Sequence, residues 1–526
     1  MGKMALSRCN WWVLLTGASL AAAIGQRPRT GNWTTLNCEH AAIVDATTFT
    51  SEQRWSVLDA DHAWADVVDA WRNEYKPEAR FRSFQQAVFY DLSTHEGTTC
   101  GEVSGIGGCH TPMSCEDRFK GQTGAATAII MNSFVAVHLV LSNLYRALRD
   151  LAMRDLPRFG LDFDILSKDG SRNEEDTARI APVLLDTINL APLIALAPSF
   201  NISIDENKDF TAGPAARKAI VDEFVSILAP IVEERLKVTN ASEDAWGYQV
   251  TSALAKGYLN TAYIHHAWMN LTATAGYRLF SGSEESIARL TRLISDGKML
   301  AANRTTLPGE HLIPETAAAT RRAAITRAVY AFALPAAWSA NSAGVFVFDS
   351  GLACSESSNG APPESDLVDI PSTAMSQKTA RSTASCQNAK LYFLVSASGD
   401  GPAAFSVPKG LELLERAEYG RLSRHDIILA AIRTYENNGK KNGAPKIKPT
   451  DAAVLNNLYT EGVLTPGYVR LAVCGRDEVD RNRGKTGGCE TYPCDRVGPS
   501  SRASRSAGGL GGGLWWCLLL AVFCIF

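Results

Sequence analysis

The chain has 526 residues, 46% of them hydrophobic and 20% charged, with a formal net charge of −3. That length exceeds the usual size of one domain and predicts two or three cores. The mildly acidic balance, with no block of lysine and arginine, excludes a general electrostatic attraction for nucleic acid.

The N-terminus carries Lys3 and Arg8, then the short apolar core "WWVLLTGASLAAA", then Ala23-Ile24-Gly25 before Gln26. This order predicts a secretory signal peptide over residues 1–25. Five Asn-x-Ser/Thr sequons, at Asn32, Asn201, Asn240, Asn270 and Asn303, fit passage through the secretory pathway as glycosylation acceptors. Nine cysteines lie between that signal and Ser501, with none from 116 to 353. In an oxidising compartment they are expected to be mostly bridged. Cys354 with Cys386 is the pair the spacing favours. Cys38, Cys100, Cys109, Cys115, Cys474, Cys489 and Cys494 keep several connectivities open, and the odd number leaves one cysteine over.

From residue 26 to about 340 the pattern is helical. Trp55, Leu58, Ala65, Val68 and Trp71 recur at helical intervals, as do Val221, Phe224, Leu228 and Ile231. Gly213-Pro214 reads as a helix start, because proline's missing amide costs nothing at the first position. Further helices are expected at about 78–92, 123–155, 176–196, 243–279, 283–296 and 314–333. The stretch "AATAIIMNSFVAVHLVL" is apolar enough to raise a membrane question; Asn132, Ser133 and His138 interrupt it, and a buried central helix is the expectation.

Several motifs bear on chemistry. "FGLDFDILSKD", Phe159 to Asp169, resembles the barrel-strand signature of family 18 chitinases through Gly160, Leu161, Asp162, Phe163 and Asp164. Leu166 stands where that signature has its catalytic glutamate, and leucine has no proton to give a glycosidic oxygen. Asp162 and Asp164 are nevertheless the first acids to test in an enzyme. Asp169-Gly170 could sit inside a calcium loop, but Ile165 would take its first ligand position and cannot bind a hard cation. His265 and His266 are adjacent on a helix, about 100° apart, and so poorly placed to share an ion. His95, Cys100, Cys109, His110 and Cys115 are metal-ligand residue types at spacings that match no standard zinc pattern. Gly-x-Ser-x-Gly and phosphate-loop motifs are missing, so no catalytic residue, metal or cofactor is assigned.

Beyond residue 340 "GVFVFDSG" and "AKLYFLVSAS" read as strands. Between them a Ser, Pro and Gly rich stretch, 355–385, reads as an irregular loop with a bridge across its base. A helix pair follows at about 422–437 and 449–460, and "GYVRLAVC" reads as a last strand.

The C-terminus combines a Ser/Gly-rich linker, 496–513, with thirteen mostly apolar residues, 514–526. A membrane-spanning helix needs about 20 such residues, so a permanent span is disfavoured. Ser501, Arg502 and Ala503 offer small residues at the first and third places of an attachment triplet, ten residues before the tail, as in a glycosylphosphatidylinositol (GPI) signal. Removing 1–25 and everything after Ser501 takes away four basic residues and no acid, moving the net charge from −3 to −7.

Two stretches, "CHTPMSCEDRFKGQTGAATAIIMNSFVAVHLVLSNLYRAL" and "YGRLSRHDIILAAIRTYENNGKKNGAPKIKPTDAAVLNNLYTEGVLTPGYVRLAVC", are similar to a group of secreted filamentous-fungal proteins of unknown function. The resemblance implies a fungal extracellular protein and transfers no catalytic residue.

The combined expectation is a mainly α protein, a multi-helix bundle or irregular helical stack over 26–340. A smaller disulfide-bearing α+β portion of a few strands follows over 341–495. Its expected role is binding or structural, as a glycoprotein joined to the membrane by a GPI lipid anchor and facing a cell-wall or host-surface ligand. The alternative is a secreted enzyme, a carbohydrate hydrolase or a tailoring enzyme of a metabolic pathway.

Overall fold

A computed structural model describes residues 29–45, 48–77, 83–92, 100–104, 109, 115, 125–156, 190–196, 214–240, 261–300, 315–340, 344–355, 360–368, 370, 375–397, 405–416, 419–444, 452–482 and 493–494. Over these the protein is mainly helical with one small sheet, as the periodicities predict. The calcium loop, Asp162, Asp164, Asn201, Asn303, Cys489 and Ser501 lie outside the described residues, as do both terminal segments.

The helices used below are α1 (Ser51–Val57), α2 (Ala60–Ala70), α3 (Phe84–Leu92), α4 (Ala125–Asp150), α5 (Pro214–Asn240), α6 (Thr261–Leu279), α7 (Glu284–Ile294) and α8 (Glu315–Ala340). The centre is α4, which runs on through a π-helical turn, Leu151–Asp155. It is long and apolar enough to cross a membrane, yet 83% of its most apolar window is buried inside the protein. Only a narrow stripe, Asn132, Ala136, Leu139, Tyr145, Arg146, Arg149 and Asp150, reaches toward solvent. Its many Ala, Ser and Thr residues let neighbouring helices approach on the remaining faces.

Around α4 an aromatic chain ties three other segments together. Trp64 of α2 meets Phe84 of α3 and Phe134 of α4 edge-on, at 5.9 and 5.6 Å between centroids, and Phe134 meets Phe280 at 5.4 Å. Trp71 lies 5.4 Å from Phe84 and donates its indole N–H to the Gly282 carbonyl at 2.9 Å. Gly282 is at φ +74°, and a β-carbon there would lie 2.3 Å from that of Phe84, so glycine is required at this crossing.

After α8 come β1 (Val345–Ala353), α9 (Gln377–Thr383), β2 (Ala384–Gln387), β3 (Lys390–Ala397), β4 (Phe405–Ser406), α10 (Arg424–Asn437), α11 (Ala452–Glu461), β5 (Val473–Gly475) and α12 (Arg476–Asn482). The sheet order is β2-β3-β1-β5, with β4 also on β3. β1 pairs antiparallel with β3, placing Val347 opposite Leu394 and Phe348 opposite Phe393, and parallel with β5. Because strand side chains alternate, the two faces belong to different cores. Val345, Val347, Tyr392, Leu394 and Val473 join the large core that begins at Trp33. Phe346, Phe348, Leu391, Phe393, Val395 and Cys474 form a second, smaller core with Met375, Ala380 and Phe405.

Helix α8 joins the helical portion to the sheet portion. Buried Tyr468 donates its hydroxyl to the Ala328 carbonyl at 2.6 Å, and Arg327 bonds Asp426 of α10 at 2.7 Å. Gly420, at φ +68°, sits where a β-carbon would be 2.2 Å from the Ala323 carbonyl oxygen.

Two segments differ from the sequence expectation. The stretch 355–385 holds a 3-10 turn, Glu364–Leu367, and helix α9, whose N-terminus is capped by the Ser376 hydroxyl accepting from the Thr379 amide. Met375 and Ala380 bury under the sheet, which gives this segment a reason to be regular. Of "GYVRLAVC" only the end enters the sheet, because Tyr468 is drawn toward α8 instead.

Candidate functional site

The cysteines make four bridges among the described residues: Cys38–Cys115, Cys100–Cys109, Cys354–Cys386 and Cys474–Cys494. A bridged cysteine has no thiolate to offer a metal. The early cysteine and histidine cluster is therefore a clamp: Cys100, Cys109 and Cys115 are all in disulfides, and His95 and His110 lie outside the described residues. Buried His138 accepts a hydrogen bond at Nδ1 from the Gly101 amide at 3.1 Å, which fixes the loop on α4. No group of three or more metal-ligating side chains occurs among the described residues. His265 is half-buried and His266 exposed, on different faces of α6.

Of the sequon asparagines, Asn32 and Asn270 are exposed. Asn32 begins a tightly held segment. Its amide and that of Trp33 donate to Asp59 at 2.7 and 3.1 Å, while the Trp33 indole and the Thr30 amide donate to Asp66 at 2.9 and 2.8 Å. Trp33 is fully buried, and Arg29 stacks 4.7 Å above its ring. His62 lies 2.5 Å from Asp59, and that hydrogen bond raises its pKa. Asn240 ends α5.

Two arrangements have the look of chemistry. Ser385 Oγ lies 3.0 Å from His425 Nδ1, and Gln387 Nε2 lies 2.6 Å from the same nitrogen. Ser385 is fully buried, however, and Gly360 is pressed against the imidazole. The neighbouring Asp426 is committed to the Ser423 cap and to Arg327. A nucleophilic serine needs substrate access and a base oriented by a third group; here the histidine and glutamine fasten β2 to α10.

The second is Asp155, at the end of the π turn that follows α4. Burial pushes its pKa up to about 6, against the pull of Arg322, Arg154 and a 3.4 Å hydrogen bond from Thr326. A carboxyl held near that value can keep its proton close to neutral pH, which a general acid needs. Neither Asp155 nor Ser385 carries a sequence motif; both come from contacts distant in the chain.

A shallow groove of about 350 Å³ lies between α2 and α7, lined by Trp64, Ala65, Val68, Arg72, Ile287, Ala288 and Thr291. Exposed Ala65 and Ala288 form low rims. The Trp64 indole N–H donates to Thr291 at 2.9 Å, and the Arg72–Glu284 ion pair, 2.5 Å, closes one end.

The architecture so defined is a disulfide-braced, mainly helical protein whose small sheet shares its core. Its sequence is similar to two curated proteins of the fungus Penicillium expansum. It is 30% identical over 476 residues to "Probable chitinase LysM18", covering 85% of this chain and 32% of that protein. It is 25% identical over 553 residues to "Secreted chitinase LysM12", covering 92% and 34%. The chain thus spans about a third of the length of these relatives. No family model matches, and no solved structure matches.

Proposed function

We propose that this chain is a secreted fungal glycoprotein that binds carbohydrate, with polymers of N-acetylglucosamine as the ligand class. The observation that carries the reading is similarity along 85% and 92% of the chain to proteins named as chitinases, one of them named as secreted. Leu166, at the acid position of the chitinase-like stretch, favours binding over hydrolysis within this third of those proteins. The groove between α2 and α7 is the binding surface: it has an aromatic floor, polar ends and low alanine rims. The test is retention on insoluble chitin against cellulose. Wild type is expected to be retained, and Ala65→Arg with Ala288→Arg, which fill the groove from exposed positions, to elute. Equal recovery from both polymers would refute the ligand class; retention of the variant would refute the groove.

The address in this reading is the outer leaflet of the plasma membrane, through a GPI anchor at Ser501. The small-residue triplet, the spacer and the apolar tail support it. Treating intact cells with phosphatidylinositol-specific phospholipase should release the protein, and full retention on the cells counts against the anchor. The division at residue 340 belongs to the same proposal.

A second reading, a secreted carbohydrate hydrolase, draws on the raised pKa of Asp155. Release of reducing ends from chitin oligomers, lost in Asp155→Asn but kept in Asp162→Asn with Asp164→Asn, would favour it.

A further inference from the structure

Helix α6 carries a solvent face on which two unlike features line up. Asn270, of the sequon Asn270-Leu271-Thr272, is exposed, while Thr272 is fully buried with its hydroxyl on the Trp268 carbonyl at 2.9 Å. Tyr277, on the same helix, is 74% exposed, more than any other exposed large apolar residue among those described. Isolated exposed apolar residues are ordinary; the position of this one is what calls for an account. At 100° per residue, seven residues bring the second side chain to within about 20° of the first, about 10.5 Å further along the axis. Helical side chains lean toward the N-terminus, so the Tyr277 ring leans back along the face toward Asn270. Between the two lie only Ala273 and Thr274, half-buried and small, with the Thr274 hydroxyl 3.5 Å from the Asn270 side-chain oxygen. The face is therefore a shallow track that begins at a glycan acceptor and ends at an exposed aromatic ring. Beside its far end Arg278 is paired with Glu234 at 3.5 Å, which leaves the ring as the apolar element there.

We propose that Asn270 bears an N-linked glycan whose first two N-acetylglucosamine units lie along α6, the second resting its apolar face on the Tyr277 ring. Two β-1,4-linked pyranoses extend over a distance of the same order as the track. The contact covers an apolar surface that is otherwise in water and fastens the sugar to the helix that packs on α4. This inference shares with the proposed function only entry into the secretory pathway; it needs neither chitin binding nor a lipid anchor.

The experiment uses the full chain secreted from a fungal host. Peptide mapping by mass spectrometry first reads occupancy at Asn270, where a glycan is expected. Thermal melting then follows wild type, Asn270→Gln, Tyr277→Ala and the double variant, all exposed substitutions that leave other sequons intact. Loss of the glycan is expected to lower Tm by about 1–2 °C when Tyr277 is present and to have no effect in the Tyr277→Ala background. Nitration of Tyr277 is expected to run at least twofold faster in Asn270→Gln than in wild type. An unoccupied Asn270, equal Tm shifts in both backgrounds or an unchanged nitration rate would each overturn the proposal. Loss of chitin retention in any of these variants would bear on the binding site and leave this result standing.

Discussion

Gly101 and Gly276 meet backbone to backbone: a β-carbon on Gly276 would lie 2.4 Å from the Gly101 carbonyl oxygen, and one on Gly101 would lie 2.8 Å from that of Gly276. This contact seats the cysteine loop on α6. Two effects oppose each other in Gly276→Ala. Alanine is preferred over glycine inside a helix by about 1 kcal/mol, but overpacking against a backbone atom costs about 1–3 kcal/mol. A backbone carbonyl held next to a disulfide cannot swing aside, so the clash should win. Gly276→Ala is expected to lower Tm; a variant at least as stable as wild type would show that the loop is free to shift.

The pH dependence of stability should carry the mark of Asp155. Its folded pKa, about 6, lies above the ordinary value of 3.8, because burial disfavours the charged form. A raised pKa means that the neutral form is favoured on folding. The contribution is fully present below pH 3.8 and is lost as pH rises through 6. Asp155→Asn keeps the shape without the charge, so its stability relative to wild type should grow between pH 4.5 and pH 7.5, by about 1–3 kcal/mol. Denaturant unfolding at the two pH values checks this; a difference independent of pH would refute it.

Much of the fold was legible in the sequence, and the reasons are local. The Gly213-Pro214 start coincides with the first residue of α5, and the β-branched and aromatic run Val345 to Phe348 reads as a strand and forms one, with both of its faces buried. The regularity of 355–385 was hidden by its composition, although Ser376 and Thr379 stand at capping distance and Met375, Ala380 and Ala384 have buried spacing. The possible sites were much less legible. Ser385 and His425 are 40 residues apart, and Asp155 and Thr326 are 171 apart. Only packing brings them together, and single-sequence periodicity holds no record of such pairings.

The bridge Cys354–Cys386 closes a segment with a sequence separation of 32. Chain entropy puts its loss at about 3–4 kcal/mol. Removing both cysteines with Cys354→Ser and Cys386→Ser should loosen α9 and β2 first, since α9 lies inside the closed loop and β2 carries its closing cysteine. Hydrogen exchange should accelerate most strongly over 377–387, whereas α4 should remain protected. Uniform acceleration across the protein would mean that sheet and helices open as one unit.

His425 and Gly360 are coupled sterically. Gly360 has φ +68°, and a β-carbon there would lie 1.7 Å from His425 Nδ1; its carbonyl accepts from the Cys386 amide at 2.8 Å. Gly360→Ala therefore carries two penalties, about 1–2 kcal/mol for a left-handed conformation and a further one for displacing the imidazole. Removing the ring with His425→Ala costs its bonds to Ser385 and Gln387 but opens the space. If His425 serves to fasten β2 to α10, the double variant should be more stable than the sum of the single effects predicts, by about 1 kcal/mol or more, because the clash is gone. Unfolding of the four proteins in urea measures the coupling. Strict additivity would mean that the imidazole already moves freely and does not hold β2 to α10.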